Sequence, residues 1–555
     1  MGVIDLATVD RTLQQVRRLP TTAREAHVLY RAGLAPITRP ADTLTALYNM
    51  RFWGMLPGAI RIAAHRDRTA LGLVDDLGEL TFGEMDERSN RLARAWQANG
   101  LDDRSVIAVL ARDHRYLLDT MFAAGKIGAK LLLMNTGFAK PQFAAVAERE
   151  GVDRLVYDAE FADILGDVPA DIPRYLAWTD GDDNPHQTID ELIASQRDGS
   201  DLHRPKSVGG LVLLTSGTTG TPKGAPRRVN SPFAAAQFLD RVPLGIGERT
   251  VFGAPLFHGT GLSQFLLTLA LGSTTIVRRR FDPRGTLELL QKYQAEALVL
   301  VPTMLQRILT LGDDVIKQYD TKRLRIVFVA GSALAPEVGT HAMKLWGDVL
   351  YNLYGSTEVA VASVATPADW KQAPGTVGRV PVGCQVRLYD EQGRRVTAPN
   401  EIGRVFVGSG LKFSGYTGGG SKEEIDGLLS SGDVGHFDED GLLFIDGRDD
   451  DMIVSGGENV FPAEVEGLLV EHPAIADAAV IGVRDDDFGQ RLKAFVVLKD
   501  GQQISADEVR AHVRDNLARH KVPRDVEFVG ELPRNATGKL LRKELDAGDS
   551  APAGS

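Results

Sequence analysis

The densest group of chemically useful side chains is Thr215–Gly224, with the sequence TSGTTGTPKG. Its hydroxyl groups and its lysine can donate hydrogen bonds, and its glycines let backbone N–H groups approach an anion closely. The segment differs from the Walker pattern because Pro222 stands where a glycine should precede the lysine. A plain surface loop is the alternative, but this loop directly follows the apolar run Leu211–Leu214. Its composition and position together favour a phosphate-binding loop.

Short apolar runs that alternate with segments of helical spacing indicate the elements that position this loop. From about residue 69 this alternation is typical of parallel sheets covered by helices. Thr81-x-x-Glu84 has the form of a capping box and predicts a helix start. The predicted strands are Val106–Leu110, Leu131–Met134, Leu211–Leu214, Thr274–Val277, Ala297–Val301 and Ile326–Val329.

The pattern changes beyond about residue 380, where short β-like segments such as Gly383–Tyr389 and Gly403–Val407 are joined by Gly-rich turns. The last hundred residues indicate a small α+β unit, with a helix capped by Ser505-x-x-Glu508. Its predicted strands are Ala478–Val483, Leu492–Leu498 and Val526–Val529.

We therefore predict an α/β fold: a large N-terminal domain of helix-covered, mostly parallel sheets with a β-rich subdomain, followed by a small α+β C-terminal domain. The predicted boundaries are 1–447 for the N-terminal domain, about 380–447 for its β-rich subdomain, 448–545 for the C-terminal domain and 546–555 for a disordered tail.

Residues 1–65 form a poorly defined N-terminal extension. Leu47–Ile62 mixes aromatic and aliphatic residues with two arginines, a composition suited to a membrane surface. We favour a helix packed on the domain behind it, because Pro57-Gly58 should interrupt any single amphipathic face. Peripheral membrane contact is the alternative.

Composition excludes several classes of function. The 555 residues carry 63 Lys+Arg and 74 Asp+Glu, a net charge of −11, which disfavours broad nucleic-acid binding. The one cysteine, Cys384, excludes an intramolecular disulfide and a cysteine-clustered metal site. The sequence shows neither a secretory signal nor a run of about 20 apolar residues. We expect a cytoplasmic protein, with the membrane surface as the alternative, and we make no prediction of its oligomeric state.

Five motifs in order resemble the adenylate-forming superfamily, which includes acyl-CoA synthetases, peptide-synthetase adenylation domains and luciferases. The resemblance covers roughly residues 65–545, and its motifs follow the family's order. They are TSGTTGTPKG at Thr215–Gly224, YGSTE at Tyr354–Glu358, SGD at Ser431–Asp433, the hinge and glycine-loop segment at Gly447–Glu466, and PRNATGK at Pro533–Lys539.

The resemblance implies a reaction in two steps. A carboxylate is first joined to the α-phosphate of ATP with release of pyrophosphate, and the acyl group then passes to the thiol of coenzyme A. Negative charge builds on phosphate oxygens, so cations and oriented donors should carry the catalysis. Glu358 would help to hold Mg2+, Thr357 would donate to the α-phosphate and Tyr354 would stack on adenine. Asp433 would accept the ribose hydroxyls. The remaining implied ATP contacts are Thr215, Ser216, Gly217, Thr218, Thr219, Gly220, Lys223, Gly331, Ser332, Ala333, Gly355 and Arg448.

Lys539 carries the main catalytic role that the resemblance implies. It would bridge the carboxylate and the α-phosphate during adenylation, so the C-terminal domain must be mobile and close over ATP. Asp450 matches the hinge residue. Rotation there would withdraw Lys539 and bring the glycine loop, with Ser455, Gly456 and Gly457, to the coenzyme A channel. In isolation, a lysine in NATGK would be a solvated turn residue.

Pro255–Leu262 resembles the segment at the mouth of the acyl pocket, where His258 is a gating or orienting residue; a structural histidine is the alternative. No acidic residue occurs from Pro255 to Thr275, and the runs Phe265–Leu267 and Leu269–Leu271 within it are apolar. This favours an uncharged acyl group, which we predict to be a medium- or long-chain fatty acid. Lys412–Ser430 departs from the family pattern because it is short and Gly-rich, and Ser431 replaces the more common threonine.

The leading hypothesis is therefore an ATP- and Mg2+-dependent fatty-acid–CoA ligase. Two alternatives are a fatty-acyl-AMP ligase that loads a carrier protein, and a non-catalytic relative that binds nucleotide or acyl groups. Retention of Lys223, Glu358, Asp433, Arg448 and Lys539 weighs against the last.

Overall fold

The computed structural model divides the chain into two compact units. One unit comprises Met1–Pro374, Val380–Gln385 and Gly408–Lys422, and the other comprises Gly375–Arg379, Val386–Val407 and Glu423–Ser555. The described residues are 21–34, 40–138, 140–181, 185–215, 223–227, 233–411, 415–417, 419–449, 451, 453–455, 458–485, 489–535 and 538–546. The predicted tail at 546–555 lies almost wholly outside them, and the boundary at 447/448 stays a prediction.

The larger sheet of the first unit has eight strands among the described residues, and its six inner strands are parallel. The two edge strands, β14 and β2, are antiparallel to their neighbours. In order across the sheet the strands are β14 (Ser363–Ala365), β13 (Leu350–Tyr354), β12 (Ile326–Ala330), β11 (Ala297–Leu300), β9 (Arg249–Phe252), β10 (Thr274–Val277), β1 (Leu71–Asp75) and β2 (Gly78–Thr81).

The smaller sheet of this unit has six strands in the described part of the chain. Five are parallel, and the edge strand β8 returns antiparallel to β7. In order they are β6 (Arg174–Leu176), β5 (Arg154–Tyr157), β3 (Val106–Leu110), β4 (Lys130–Leu133), β7 (Leu211–Thr215) and β8 (Lys223–Arg227).

Helices connect these strands. Thr81 and Glu84 form the predicted capping box at the first turn of α4. The helices are α1 (21–31), α2 (Pro40–Trp53), α3 (Met55–Arg66), α4 (Phe82–Ala98), α5 (Arg115–Ile127), α6 (Lys140–Glu150), α7 (Ile189–Ala194), α8 (Ala236–Leu239), α9 (Gly259–Ala270), α10 (Pro283–Tyr293), α11 (Pro302–Leu309), α12 (Asp313–Ile316), α13 (Pro336–Trp346), α14 (Pro367–Gln372) and a 3-10 helix at Ala159–Asp167.

Both faces of each sheet are buried, which explains the continuous apolar runs of the strands. Alternate residues of one strand enter different hydrophobic clusters: Phe252 of β9 joins the cluster shared by the two sheets, and Val251 joins the cluster on the far face of the larger sheet. The shared cluster contains residues of α3, α4, α5 and α9, such as Phe122 and Phe265. The predicted fold class is confirmed.

The predicted interruption at Pro57-Gly58 is wrong. The helix break lies at Gly54, which has φ +86° and separates α2 from α3. Pro57 lies in the first turn of α3, where a missing N–H removes no intrahelical bond. A Cβ on Gly125 of α5 would lie 2.6 Å from Pro57, so the two helices cross closely there. No helix within the described ranges is both long and apolar enough to span a bilayer.

The second unit contains a β-rich sheet and a small α+β part. The β-rich sheet has the order β16 (Arg395–Val396), β15 (Gln385–Tyr389), β17 (Gly403–Gly408), β19 (Leu428–Phe437) and β18 (Glu424–Ile425), and β20 (Leu443–Arg448) also pairs with β19.

The α+β part carries three helices and a mixed sheet in its described residues. Ser505 and Glu508 form the predicted capping box of α16. The sheet has the order β22 (Glu458–Val460), β21 (Ile453–Ser455), β24 (Gly489–Leu498) and β23 (Ile475–Asp485), with β25 (Asp525–Phe528) parallel to β24. The helices are α15 (Pro462–Glu471), α16 (Ala506–Asn516) and α17 (Arg542–Asp546), with a 3-10 helix at Arg519–Lys521.

A buried ion pair joins α4 and α5 of the first unit. The amino group of Lys126 contacts Asp86 Oδ1 at 2.7 Å, Ser89 Oγ at 2.8 Å and Asn90 Oδ1 at 2.7 Å. Burial lowers the pKa of Lys126, and Asp86 opposes that shift. The pair thus depends on complete hydrogen bonding in a water-poor environment.

We expect Lys126→Ala to lower the free energy of unfolding by about 3–5 kcal/mol, because the buried Asp86 then keeps only the more distant Arg68, at 3.9 Å, as a cation. The matched control is Lys371→Ala, which removes an exposed lysine paired with Asp348 and should cost less than about 1 kcal/mol. Urea unfolding followed by tryptophan fluorescence measures both variants. Equal destabilisation by the two would contradict the structural role of Lys126.

Candidate functional site

The candidate site of the first unit is built from loops at the carboxyl ends of parallel strands. His258 follows β9, Gly331–Ala333 follows β12, and Tyr354–Glu358 includes the end of β13. Because β13, β12, β11 and β9 are consecutive parallel neighbours, these loops lie at one edge of the larger sheet. The topology therefore brings together three predicted segments that are far apart in sequence.

The Tyr354–Glu358 segment forms a tight loop between β13 and β14. The Ser356 carbonyl accepts the N–H of Ala360 at 2.8 Å, and the Tyr354 carbonyl accepts the N–H of Ala362 at 3.0 Å. A Cβ on Gly355 would overlap the Ala360 carbonyl oxygen, so this position requires glycine. Thr357 lies half-buried within the loop.

The Glu358 carboxylate is held by one hydroxyl on each oxygen. Tyr416 donates to Oε1 at 2.8 Å, and Ser356 donates to Oε2 at 3.0 Å while accepting the Glu358 N–H at 3.2 Å. An ionised carboxylate offers about four lone-pair directions, so further acceptor positions remain. The group is a fixed oxygen ligand of the kind that Mg2+ prefers.

The predicted phosphate-binding loop connects β7 to β8 as a hairpin. Thr215 pairs with Lys223 across the two strands, and Leu214 pairs with Gly224. The predicted residues Ser216, Gly217, Thr218, Thr219 and Gly220 lie outside the described residues, as do the side chains of Thr215 and Lys223. The backbone thus fixes where the loop begins and ends.

His258 stands at the start of α9, the helix of the predicted acyl-pocket segment. Its Nδ1 atom is buried and has no hydrogen-bond partner among the described residues. Burial lowers the pKa of His258 to about 4, so its imidazole is neutral at neutral pH. The ring is therefore uncharged, and its Nδ1 atom is a buried polar group.

Asp113 is a residue of this site that the sequence did not reveal. It is buried after β3 of the smaller sheet, and its Oδ1 accepts the backbone N–H of Leu256 at 3.0 Å. Burial raises the pKa of Asp113 to about 7, against the effects of the Leu256 N–H and of Arg112. This contact orients the chain two residues before His258.

Gly331 lies beside the first turn of α9. Its φ is +107°, and a Cβ there would be 3.5 Å from Thr260 Oγ1. Ser332 is half-buried and Ala333 is exposed. The predicted adenine segment and the predicted acyl segment are therefore in contact in the first unit.

In the second unit, Asp433 and Arg448 are direct partners across β19 and β20. Arg448 Nη1 lies 3.3 Å from Asp433 Oδ1. Within β19 the backbone before Asp433 is irregular: Ser431 accepts the Asp433 N–H through Oγ at 3.1 Å, and Gly432 has φ +80°. The two predicted ribose contacts thus lie side by side.

Lys539 is exposed at the C-terminal end of a short loop in the second unit. Asn535 accepts the Lys539 N–H through Oδ1 at 2.8 Å, and its own N–H donates to the Lys539 carbonyl at 2.9 Å. Arg534 donates to the Gly538 carbonyl at 2.8 Å and to both carboxylate oxygens of Asp477. The loop that carries the lysine is therefore anchored to β23.

The predicted hinge and coenzyme A residues are mostly beyond what the structure describes. Asp450, Gly456 and Gly457 are outside the described residues, as is the side chain of Ser455. The backbone of Ser455 ends β21 and pairs with Glu458 of β22. The roles of these residues stay predictions.

Tyr416 was also missed by the sequence interpretation. It lies in the segment Lys412–Ser430, which is shorter and richer in glycine than the family pattern. That difference was the one local signal in the sequence that drew attention to this segment. Its partner Glu358 is 58 residues away in sequence. A contact of that separation leaves no periodicity to detect.

Comparison with known proteins identifies the family. The AMP-binding enzyme model matches residues 59–417, more than half of the chain, and the AMP-binding enzyme C-terminal domain model matches residues 464–539. The chain is 31% identical to indoleacetate–CoA ligase of Aromatoleum aromaticum, over 84% of this chain and 92% of the relative. It is 30% identical to the fatty acid–[acyl-carrier-protein] ligase ScoC of Streptomyces coeruleorubidus, over 85% and 92%.

A solved structure also matches. The o-succinylbenzoate–CoA synthetase of Bacillus subtilis, in complex with its acyl-adenylate, superposes with a TM-score of 0.78 at 25% identity, covering 90% of this chain and 99% of that one. The two relatives and the solved structure are all named as ligases or synthetases that join an acid to coenzyme A or to a carrier protein. The chain therefore belongs to the AMP-binding enzyme family, as an adenylate-forming acid–thiol ligase that uses ATP, Mg2+ and coenzyme A.

Proposed function

We propose that the protein converts an uncharged aromatic carboxylic acid into its coenzyme A thioester through an acyl-adenylate. The observation that carries this proposal is the pocket segment around His258, a neutral imidazole at the start of an apolar helix with no acidic residue from Pro255 to Thr275. Such a segment offers no counter-ion for a substrate ammonium group. Indoleacetate and o-succinylbenzoate, named for two relatives, both carry an aromatic ring and support an aromatic acid. Of the two, indoleacetate also supports an acyl group with no second charge, since o-succinylbenzoate carries a further carboxylate.

A fatty acid, the acyl group predicted from the sequence, is the second candidate. The leucines of α9 favour it, because each buried CH2 contributes about 0.8 kcal/mol. The relative ScoC is named a fatty acid–[acyl-carrier-protein] ligase, which also supports a carrier protein as the alternative acceptor. Acyl group and acceptor are thus two separate questions.

In the proposed mechanism, Glu358 would hold Mg2+, which would supply positive charge to neutralise phosphate oxygens. The hairpin residues Thr215–Lys223 bind the triphosphate through N–H and hydroxyl donors. Asp433 accepts the ribose hydroxyls while Arg448 fixes its orientation. Lys539 stabilises the negative charge that develops where the carboxylate meets the α-phosphorus.

The direct test measures pyrophosphate release with a panel of carboxylic acids. Indoleacetate, cinnamates and benzoates would be compared with fatty acids of graded length, and thioester products would be identified by mass spectrometry. We expect kcat/KM for the best aromatic acid to exceed that for any fatty acid by about tenfold or more, which corresponds to about 1.4 kcal/mol. A preference for fatty acids would overturn the aromatic assignment. Detection of free acyl-CoA would identify coenzyme A, and not a carrier protein, as the acceptor.

Lys539→Ala should reduce pyrophosphate release by about two to three orders of magnitude, since a transition-state contact to developing charge is lost. Thioester formation from a supplied acyl-adenylate should be largely spared, because the resemblance implies that Lys539 is withdrawn from the nucleotide during that half-reaction. Rapid-quench assays of the two half-reactions measure this. The control is Lys499→Ala, another exposed lysine of the same unit. Equal loss of both half-reactions would refute the assigned role.

His258 should make the free energy of unfolding depend on pH. Its pKa is about 4 in the folded protein against 6.5 for an unperturbed histidine. The unfolded chain therefore binds more protons between pH 6.5 and 4, and this contribution to stability is lost as the pH falls through that window.

We expect His258→Gln to flatten this loss of stability between pH 6.5 and pH 4, measured by urea unfolding at a series of pH values. Asp113, whose raised pKa contributes the opposite slope, is common to both proteins and cancels in the comparison. The control is His203→Gln, which replaces an exposed histidine. An unchanged slope in His258→Gln would show that folding does not lower the pKa of His258.

A further inference from the structure

The segment Gly415–Thr417, which we call the strap, contacts two loops of the first-unit site at once. Tyr416 donates its hydroxyl to Glu358 Oε1 at 2.8 Å, after β13 of the larger sheet. The next residue, Thr417, donates its backbone N–H to the Gly224 carbonyl at 2.9 Å, on β8 of the smaller sheet. Two adjacent residues thus link the candidate metal ligand to the phosphate-binding hairpin.

The side chain of Thr417 is anchored to a buried carboxylate. Its hydroxyl donates to Glu150, whose side chain is 2% exposed and also contacts Lys130 Nζ at 2.8 Å and Arg149 Nε at 3.1 Å. Burial opposes ionisation of Glu150, but the hydrogen bonds from Lys130 and Thr417 outweigh it and lower the pKa of Glu150. The anchor is therefore an ionised acceptor fixed in the fold.

Gly224 brings the strap and β8 into close contact. A Cβ at this position would overlap Thr417 Oγ1 and would lie 2.9 Å from Val212 Cγ1 and 3.0 Å from Glu150 Oε1. Backbone and side chain of Thr417 are thus both pressed against the last glycine of the phosphate-loop motif. The strap has no room to move toward β8.

We propose that the strap is a positioning element for Mg2+-dependent ATP binding. Tyr416 holds the Glu358 carboxylate in one orientation, and Thr417 fixes the distance between that carboxylate and the phosphate-binding hairpin. A ligand that is already oriented loses less conformational freedom when the metal binds. The inference rests on the role proposed above for Glu358, and it makes Tyr416 a positioning residue with no contact to the reacting atoms.

The test replaces Tyr416 with phenylalanine, which keeps the ring and removes the hydroxyl. Binding of an ATP analogue with a methylene bridge between the α- and β-phosphates would be measured by calorimetry over a Mg2+ titration and in EDTA. We expect the Mg2+ concentration for half-maximal binding to rise about tenfold, as for one lost hydrogen bond to a charged group. Binding in EDTA should stay unchanged.

The matched control is Tyr389→Phe. Tyr389 donates its hydroxyl to Asp426 Oδ2 at 2.8 Å in the second unit, so the same chemical change is made away from Glu358. Its Mg2+ dependence should equal that of the wild type. Thr417→Ser, which keeps the hydroxyl for Glu150, should also match the wild type, whereas Thr417→Val should shift the Mg2+ dependence as Tyr416→Phe does.

Glu358→Gln separates the strap from the function on which it rests. If that variant keeps a wild-type Mg2+ dependence, Glu358 is not the metal ligand. The metal-binding role proposed for Glu358 and the positioning role of the strap then both fail. If it loses the Mg2+ dependence while Tyr416→Phe behaves like Tyr389→Phe, the strap alone is refuted. Equal weakening of Tyr416→Phe with and without Mg2+ would also overturn the proposal, since it would indicate general disruption of the fold.

Discussion

Two hydroxyl groups hold the Glu358 carboxylate in one orientation, as the metal-binding role proposed for it requires. One comes from Ser356 in the same loop and the other from Tyr416, which is distant in sequence. The shape of the Tyr354–Glu358 loop follows from this requirement. Gly355 lets the chain turn against the Ala360 carbonyl, so the carboxylate stays at the end of β13.

The two sheets of the first unit are tied together near their carboxyl edges. Asp113 after β3 accepts the Leu256 N–H after β9, and Thr417 joins β8 while its neighbour Tyr416 joins Glu358. A parallel sheet places its functional loops at one edge, but nothing in the sheet itself sets the position of that edge relative to the edge of a second sheet. These polar contacts, together with the shared hydrophobic cluster, fix the position of the two edges relative to each other.

Local signals explain most of what the sequence could predict. The capping boxes at Thr81 and Ser505 involve residues three apart, and the buried strands are continuous apolar runs, so both were found. The helix break at Gly54 was misplaced because Pro57 is neutral in a first turn, a fact that depends on where the helix begins. Asp113 and Tyr416 were missed because their partners are 143 and 58 residues away. The motif residues were located by resemblance, while the acyl group depends on the shape of a pocket that residue types do not specify.

The crowding at Gly224 has an evolutionary consequence. A methyl group there and the hydroxyl of Thr417 would occupy the same volume, so positions 224 and 417 cannot vary independently. A homologue with alanine at the first position should carry alanine or glycine at the second, because the clash is with the hydroxyl itself, and would then lose the contact to Glu150. Co-variation among positions 150, 224 and 417 would therefore record this contact across the family, even though none of the three residues contacts the substrate in the proposed mechanism.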